Sequence, residues 1–278
     1  MFYIPDYQLE AILKEDMPYN DCTTEALGIG ERRGKIECLP KAAGIVSGLD
    51  LAKRLFKKVG LEVLLCEKDG AWHEAQHKVL VAEGEAQKIH AVYKTAQNIM
   101  EYSSGISGRV HAMLAAARPI NPYIQVAVTR KHFPGTKSLS LNAALLGGAN
   151  IHRAGLAESI LIFDQHRVFC EDFGTALKEA RLKEPEKKIM VEAGSAEEAL
   201  SFVNLGIDVL QCERFSPDEL SVLIKEAKSI NPKLKVLAAG GINASNAADY
   251  AKTGVDVLVT SWAYFGKPFD IKMKISAI

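Results

Sequence analysis

KIMVEAGSAEEALSFVNLGIDVLQCER, residues 188–214, contains a strand, a helix and a second strand in one short stretch. KIMVEAG and DVLQCER are apolar until their carboxyl ends, and the helix between them opens on Ser195 and stops at Gly206. Four more runs of the same kind surround this unit: IQVAVTRK from Ile124, SILIFDQH from Ser159, KVLAAGG from Lys235 and DVLVTSW from Asp256. Their starts lie about twenty to thirty-five residues apart, the length that a strand, a crossover helix and two loops require. Such repetition predicts a parallel sheet with helices outside, either an incomplete barrel or an open doubly wound sheet.

Further helices are legible as SPDELSVLIKEAKS and NASNAADYAKTG, opening on Ser and Asn caps, with Gly254 closing the second. Residues 1–118 have a different rhythm. The amphipathic YQLEAILKE, the polar break PYNDCTT and the helical DLAKRLFKKVG alternate with the strand-like KIECLP, LEVLLCE and HKVLVAEGE. Ile89, Val92, Ala96 and Ile99 recur at spacings of three and four, so a helix passes through HAVYKTAQNIMEY. The turn at Asn121 and Pro122 separates this α/β domain from a barrel domain at 119–265. FDIKMKI, after Pro268, alternates apolar and polar residues; it predicts an antiparallel strand outside the barrel, completing the first domain over about 266–278.

Lys and Arg number 34 and Asp and Glu 34, so the net charge is zero with His neutral. A dedicated nucleic-acid or polybasic membrane binder would need an excess of cations. The 48% hydrophobic and 24% charged residues exclude a disordered chain, and no apolar run approaches a membrane span. MFYIPDYQLE lacks the regions of a signal peptide, and Cys22, Cys38, Cys66, Cys170 and Cys212 have no CxxC pair. Buried free thiols in a reducing cytoplasm are the expectation.

The chemistry lies where the strands turn polar: Arg130 and Lys131; Asp164 and His166; Glu192; Glu213 and Arg214; Gly240 and Gly241; Thr260 and Ser261. In a parallel barrel these ends share one mouth, where active sites are built. Arg130, Lys131, His152 and Arg153 make a cationic pole able to clamp phosphate or carboxylate oxygens. Glu192 and Glu213 make an anionic pole suited to sugar hydroxyls or a magnesium-bound water. The Gly240–Ile242 turn offers bare backbone amides to a phosphate. Plainer readings exist: Arg130 and Lys131 as a solvated pair bridging to carboxylates, His152 as a structural histidine, Glu192 as a strand-end residue bonding neighbouring backbone, His166 as a supporting residue. No nucleophile elbow, HExxH, Walker loop or GxGxxG occurs.

TRKHFPGTKSLSLNAALLGGANIHRAGLAESILIFDQH, Thr129 to His166, resembles the central signature of the quinolinate phosphoribosyltransferases, also called nicotinate-nucleotide pyrophosphorylases. DCTT near residue 22, AAGIVSG at 42–48, NIMEYSSGIS at 98–107, VEAGSAEEAL at 191–200, AAGGINASN at 238–246 and TGVDVLVTS at 253–261 extend the resemblance nearly end to end. It implies an incomplete parallel α/β (TIM-like) barrel plus an amino-terminal α/β sandwich domain. The implied partners are phosphoribosyl pyrophosphate, with Mg2+ as cofactor, a nitrogen base, and a second copy of the chain in a dimer or higher homo-oligomer with shared sites. Arg130, Lys131, His152 and Arg153 match the family's binders of substrate carboxylates and donor oxygens. Glu192 and Glu213 match the ribose-side carboxylates, Gly240 and Gly241 the 5′-phosphate turn, and Ser261 falls in the matching TGVDVLVTS. Lys94 stands where the family usually has an arginine that reaches a neighbouring subunit's site.

Against the family pattern, Phe163 replaces a lysine facing the dicarboxylate, Val128 an aspartate, Arg214 an asparagine, Ala239 a serine and Phe265 a histidine. The resemblance is strongest to the ModD subgroup, pyrophosphorylase-like proteins associated with molybdenum transport. Three activities stay open at this point: phosphoribosyl transfer to a base less anionic than quinolinate, ordinary carboxylating quinolinate phosphoribosyltransferase activity in NAD biosynthesis, and a noncatalytic ligand-binding role coupled to molybdate uptake.

Overall fold

The computed structural model describes residues 1–278, which form two compact units. The first comprises Met1–His111, His132–Gly148 and Ala263–Ile278. Its strands are β1 (Arg33–Pro40), β2 (Gly44–Val46), β3 (Glu62–Cys66), β4 (Ala71–His73) and β5 (Leu80–Glu85), with the carboxyl-terminal strand Ile271–Ala277. That last strand pairs antiparallel with β1, from Gly34 opposite Ala277 to Pro40 opposite Ile271. β5 flanks β1 on its other side and β3 follows, while β2 and β4 form a separate two-stranded sheet. Helix Leu49–Lys58 buries Leu49, Ala52, Leu55 and Phe56, the one-sided spacing of an amphipathic helix. These side chains share a core with Ile36, Cys38, Leu80, Ala82 and Ile271. The helix predicted through HAVYKTAQNIMEY is much longer than its apolar spacing indicates, running 32 residues from Ala86 to Ala117.

The second unit comprises Ala112–Lys131 and Ala149–Trp262. Its strands are β6 (Gln125–Val128), β7 (Asn150–Ile151), β8 (Ile160–Ile162), β9 (Ile189–Ala193), β10 (Val209–Glu213), β11 (Lys235–Ala239) and β12 (Val257–Thr260). All pairings are parallel, in the order β7-β6-β12-β11-β10-β9-β8. The first strand thus pairs with the last, and only β7 and β8 lack a mutual ladder. That order is a barrel open along one seam, so the choice between barrel and open sheet is settled in favour of the incomplete barrel. Within this sheet β7 is the strand that sequence reading missed, as it missed the short β2 and β4 of the first unit.

Local signals explain the helices. Ser195 Oγ accepts from Glu198 N–H at the start of Ala196–Asn204. Ser216 and Glu219 cap each other reciprocally around Pro217, the first residue of Pro217–Ile230. Gly206 and Gly254 stop their segments with φ of 79° and 85°. The expected Asn cap needs correction. The last helix of this unit starts at Ala247 and its preceding Asn246 makes no side-chain cap; Asn246 Oδ1 instead accepts from Asn243 N–H at 2.8 Å. Asn243 Oδ1 is in turn taken by Ser245 N–H, so both side chains stiffen the loop.

Cys38 and Cys212 are buried, as expected, and no disulfide forms; Cys22 is exposed, and Cys66 and Cys170 are half-buried, so the expectation of buried thiols fails for these three. Cys22 opens a short surface helix that Asp21 caps. No helix is long and apolar enough to cross a membrane.

Candidate functional site

Alternation along the parallel strands places the site. Met190, Val209, Leu237, Ala239, Val257 and Val259 pack into one apolar cluster. Side chains two residues further along a strand point to the same face. Glu192 therefore follows Met190, Gln211 and Glu213 follow Val209, and Ser261 follows Val259. The polar residues stand directly above the apolar layer, on the carboxyl ends of the strands, around a cleft of about 690 Å³.

Arg130, Lys131, His152, Arg153, Phe163, Glu192, Glu213, Ala239, Gly240, Gly241 and Ser261 all line this cleft. Lys94 does not. It lies in the first unit, exposed on helix Ala86–Ala117, where its ammonium donates to Gln97 Oε1 at 2.9 Å and sits 5.1 Å from the Tyr93 ring centre. Sequence reading missed Gln211, Gln165, Asn243 and Trp262 as lining residues, whereas Thr260 lines the cleft as a polar strand end should. The signal available for Gln211 was a lone amide inside the apolar strand VLQC.

On the cationic side, the short β7 hydrogen-bonds alongside β6 and delivers His152 and Arg153, with His152 N–H donating to Val128 O at 3.1 Å. Arg153 is only 8% exposed. One guanidinium nitrogen donates to Leu156 O at 3.1 Å, but its buried Nε has no partner. No carboxylate oxygen lies within 4 Å of Arg130, Lys131 or Arg153, so the ion-paired reading of Arg130 and Lys131 does not hold. Burial, reinforced by Arg130, pushes the Arg153 guanidinium below its usual range, with Glu158 opposing. Cations gathered without carboxylate partners in a concave site are arranged to receive an external anion. Burial also holds the His152 imidazole below its ordinary value, with Gln211 opposing and Arg153 adding to the effect. This favours the neutral ring.

Across the cleft, Glu192 is held by a side chain, Gln211 Nε2 donating to its Oε2 at 2.5 Å, rather than by neighbouring backbone. Burial raises the Glu192 carboxyl above its usual range; the Gln211 bond opposes this, and Glu213 and Asp164 add to it. Glu213 ends β10 with Arg214 Nε 3.5 Å away. Arg214 occupies the left-handed region at φ 62°, a conformation that suits Asn or Gly better than a long side chain.

The glycine turn closes the cleft. Gly240 and Gly241 have φ of 89° and 74°. A Cβ on Gly240 would meet Arg214 N at 2.9 Å and Glu213 Oε1 at 2.9 Å, whereas one on Gly241 would enter open space. Thr260 Oγ1 donates to Ile242 O at 2.7 Å and accepts from Trp262 N–H at 3.0 Å, fastening the turn to β12. None of the turn's hydrogen bonds uses the Gly241 or Ile242 amide, leaving both donors for an anion. The donors come from the loop itself, because the following helix is only six residues long and starts at Ala247.

At the end of β8, Phe163 presents its ring to the cleft and stacks on His166, with centroids 5.7 Å apart and planes 20° from parallel. Phe163 N–H donates to His166 Nδ1 at 3.0 Å. His166 thus supports Phe163, and the wall there is apolar and aromatic.

Two family models match the chain: the quinolinate phosphoribosyl transferase N-terminal domain over residues 21–104 and its C-terminal domain over residues 106–274. A protein of Escherichia coli O6:H1 named "Putative pyrophosphorylase ModD" is 37% identical over 278 residues, covering 99% of this chain and 98% of the relative. A protein of the same name from Rhodobacter capsulatus is 38% identical over 258 residues, 91% of this chain and 98% of the relative. The crystal structure of nicotinate-nucleotide pyrophosphorylase from Ehrlichia chaffeensis matches with a TM-score of 0.91 over 99% of this chain and 100% of that one; at 20% identity this is a likeness of fold.

Gly240→Ala is expected to lose about 2 kcal/mol or more in urea unfolding, and Gly241→Ala only about 1 kcal/mol, because the first adds a backbone clash to the cost of a positive φ. Equal losses would contradict the turn geometry. For Glu192, a folded carboxyl raised above its unfolded value of 4.5 contributes stability fully present below pH 4.5 and lost as pH rises through the folded value. Glu192→Gln, which still offers Gln211 an acceptor, should therefore melt above the wild type at pH 7 and lose that advantage below about pH 4.5. A variant less stable at pH 7 would refute this.

Proposed function

The chain belongs to the quinolinate phosphoribosyl transferase family, and on that premise we propose that it transfers a phosphoribosyl group from phosphoribosyl pyrophosphate to the ring nitrogen of a base less anionic than quinolinate. The observation that carries this reading is the composition of one cleft. Arg130, Lys131 and Arg153 stand without carboxylate partners, a glycine turn offers two amides, Glu192 and Glu213 face the same space, and Phe163 supplies an apolar wall.

In the proposed reaction the bond from ribose C1′ to the pyrophosphate oxygen breaks and a bond from the base nitrogen to C1′ forms. The electron pair of the broken C1′–O bond leaves with pyrophosphate, and the lone pair of the base nitrogen makes the new bond. Negative charge grows on the leaving group while the ribose ring becomes oxocarbenium-like, so preplaced cations stabilise one end and carboxylates the other. Arg130, Lys131 and Arg153 hold the departing oxygens, Glu192 and Glu213 orient the ribose hydroxyls, and the Gly240–Ile242 turn holds the 5′-phosphate. The chain's own His, Cys, Asp and Glu side chains build no metal site of three or more ligands. Two carboxylates do fit Mg2+, which keeps most of its waters and binds through one or two carboxylates and substrate phosphates. Glu192 and Glu213 would hold it; when bound, it neutralises pyrophosphate charge.

Phe163 carries the inference about the base. An aromatic wall stacked on His166 favours a planar ring and offers a second carboxylate no counter-charge. Loss of carbon dioxide is then not a necessary part of the reaction. The association with molybdenum transport implied by the likeness to ModD, a cytoplasmic location, and a homo-oligomer in which Lys94 completes a neighbouring subunit's site belong to the same proposal.

Purified protein with phosphoribosyl pyrophosphate, Mg2+ and a panel of nitrogen heterocycles is expected to release pyrophosphate with a mono-anionic or neutral base. Arg153→Ala should lower kcat/KM at least 100-fold. Nicotinate mononucleotide and carbon dioxide formed from quinolinate would support the carboxylating activity instead, and donor binding without turnover across the panel would support a noncatalytic role. For shared sites, mixing Lys94→Ala chains with Arg130→Ala chains should restore up to about one quarter of wild-type activity by random pairing, and no recovery would mean self-contained sites.

A further inference from the structure

Gln211 is buried, 4% exposed, on the inward face of β10 between Val209 and Glu213. The parallel ladder sets it directly beside Glu192 of β9, to whose Oε2 its amide nitrogen donates. With its nitrogen so engaged, the amide turns its oxygen the other way. That oxygen is buried and has no hydrogen-bond partner. The same is true of Nε2 of His152, which lines the same cleft. The Gln211 amide is close enough to act on the imidazole as a hydrogen-bonding neighbour, yet neither atom meets the geometry of a formed bond. An acceptor and a potential donor are thus buried near each other, each unpaired, a costly state that closing the contact relieves. Hydrogen bonds in a resting site are often long and tighten only when substrate binds.

We propose that Gln211 is a positioning residue that ties His152 to Glu192 in one hydrogen-bond chain, His152 Nε2–H donating to Gln211 Oε1 and Gln211 Nε2–H to Glu192 Oε2. Filling the base side of the cleft and orienting the ribose carboxylate then become one event. The chain fixes His152 as the Nε2–H tautomer and leaves Nδ1 as its acceptor. A neutral imidazole in that form receives an N–H or O–H of the base and gives no support to a second carboxylate, in accord with the apolar wall at Phe163. Coupling of this kind is reciprocal: bound donor raises the affinity for base by the same factor as bound base raises the affinity for donor.

The coupling rests on the phosphoribosyl-transfer reading, whereas the tautomer does not, so two measurements separate them. Long-range ¹H–¹⁵N NMR of the full-length protein, with the His152 signals assigned by their loss in His152→Asn, should find the Nε2–H form. Gln211→Leu and Gln211→Met should both shift it toward Nδ1–H or a mixture; an unchanged tautomer in both folded variants would overturn the chain. Calorimetric titration with nicotinate as the probe should then find wild-type affinity raised tenfold or more by saturating phosphoribosyl pyrophosphate and Mg2+. In Gln211→Leu that factor should fall below three, whatever the change in affinity for donor alone. A factor kept at wild-type size would overturn the coupling. A wild type that binds no donor would sink the phosphoribosyl reading, and the tautomer comparison would still decide the role of Gln211.

Discussion

The pairing of the first parallel strand of the second unit with its last is the constraint on which the site depends. β6 and β12 run in register from Gln125 beside Val257 to Val128 beside Thr260. Because the other strands follow chain order round to the seam, this pairing belongs to a sheet that curls, and curling separates an inner face from an outer one. Met190, Val209, Leu237, Val257 and Val259 then form the inner apolar layer, and Glu192, Gln211, Glu213 and Ser261 the polar rim above it. The seam falls between β7 and β8, strands of two and three residues that offer little unpaired edge to another chain.

Charge is distributed so that the cleft's own side chains are not electrostatically at rest. Arg153 is buried beside Arg130 with an unpaired Nε, a state that costs on the order of 1–3 kcal/mol. Burial, with Glu213 adding to it, raises the Glu192 carboxyl on the opposite wall, and Arg214 sits in a left-handed conformation next to the glycine turn. Such local costs persist only where the surrounding fold over-determines them. Here Thr260, the β6–β7 pairing and the Gln211 amide supply that rigidity. A ligand carrying phosphates at one end and a sugar in the middle would give the first two of those costly groups, Arg153 and Glu192, their missing partners.

Zero net charge says little about this site, since unpaired cations are balanced in the total by acids elsewhere. The strand ends were legible because each β-rich run turns polar at one end, and the six long runs reveal the sheet. β7 was not legible, because two residues cannot display an alternation. Helix Ala86–Ala117 was read only in part: Ser103, Ser104 and Ser107 take buried positions, and the hydroxyls of Ser104 and Ser107 bond to Ser47 and to backbone, which dilutes the apolar period. His132–Gly148 lies within the span read as barrel, yet it packs with the first unit, where Asn142 exchanges two hydrogen bonds with the backbone of Phe2. Gln211 was hidden because a single amide in an apolar strand declares no partner until the register sets it beside Glu192.

The most direct measurement of the central claim is a crystal structure of the protein with phosphoribosyl pyrophosphate and Mg2+, soaked with a mono-anionic nitrogen heterocycle. The account predicts the 5′-phosphate on the Gly241 and Ile242 amides, the ribose hydroxyls at Glu192 and Glu213, pyrophosphate against Arg130, Lys131 and Arg153, and the heterocycle flat against Phe163. A donor bound elsewhere, or a cleft that stays empty at saturating donor, would contradict it.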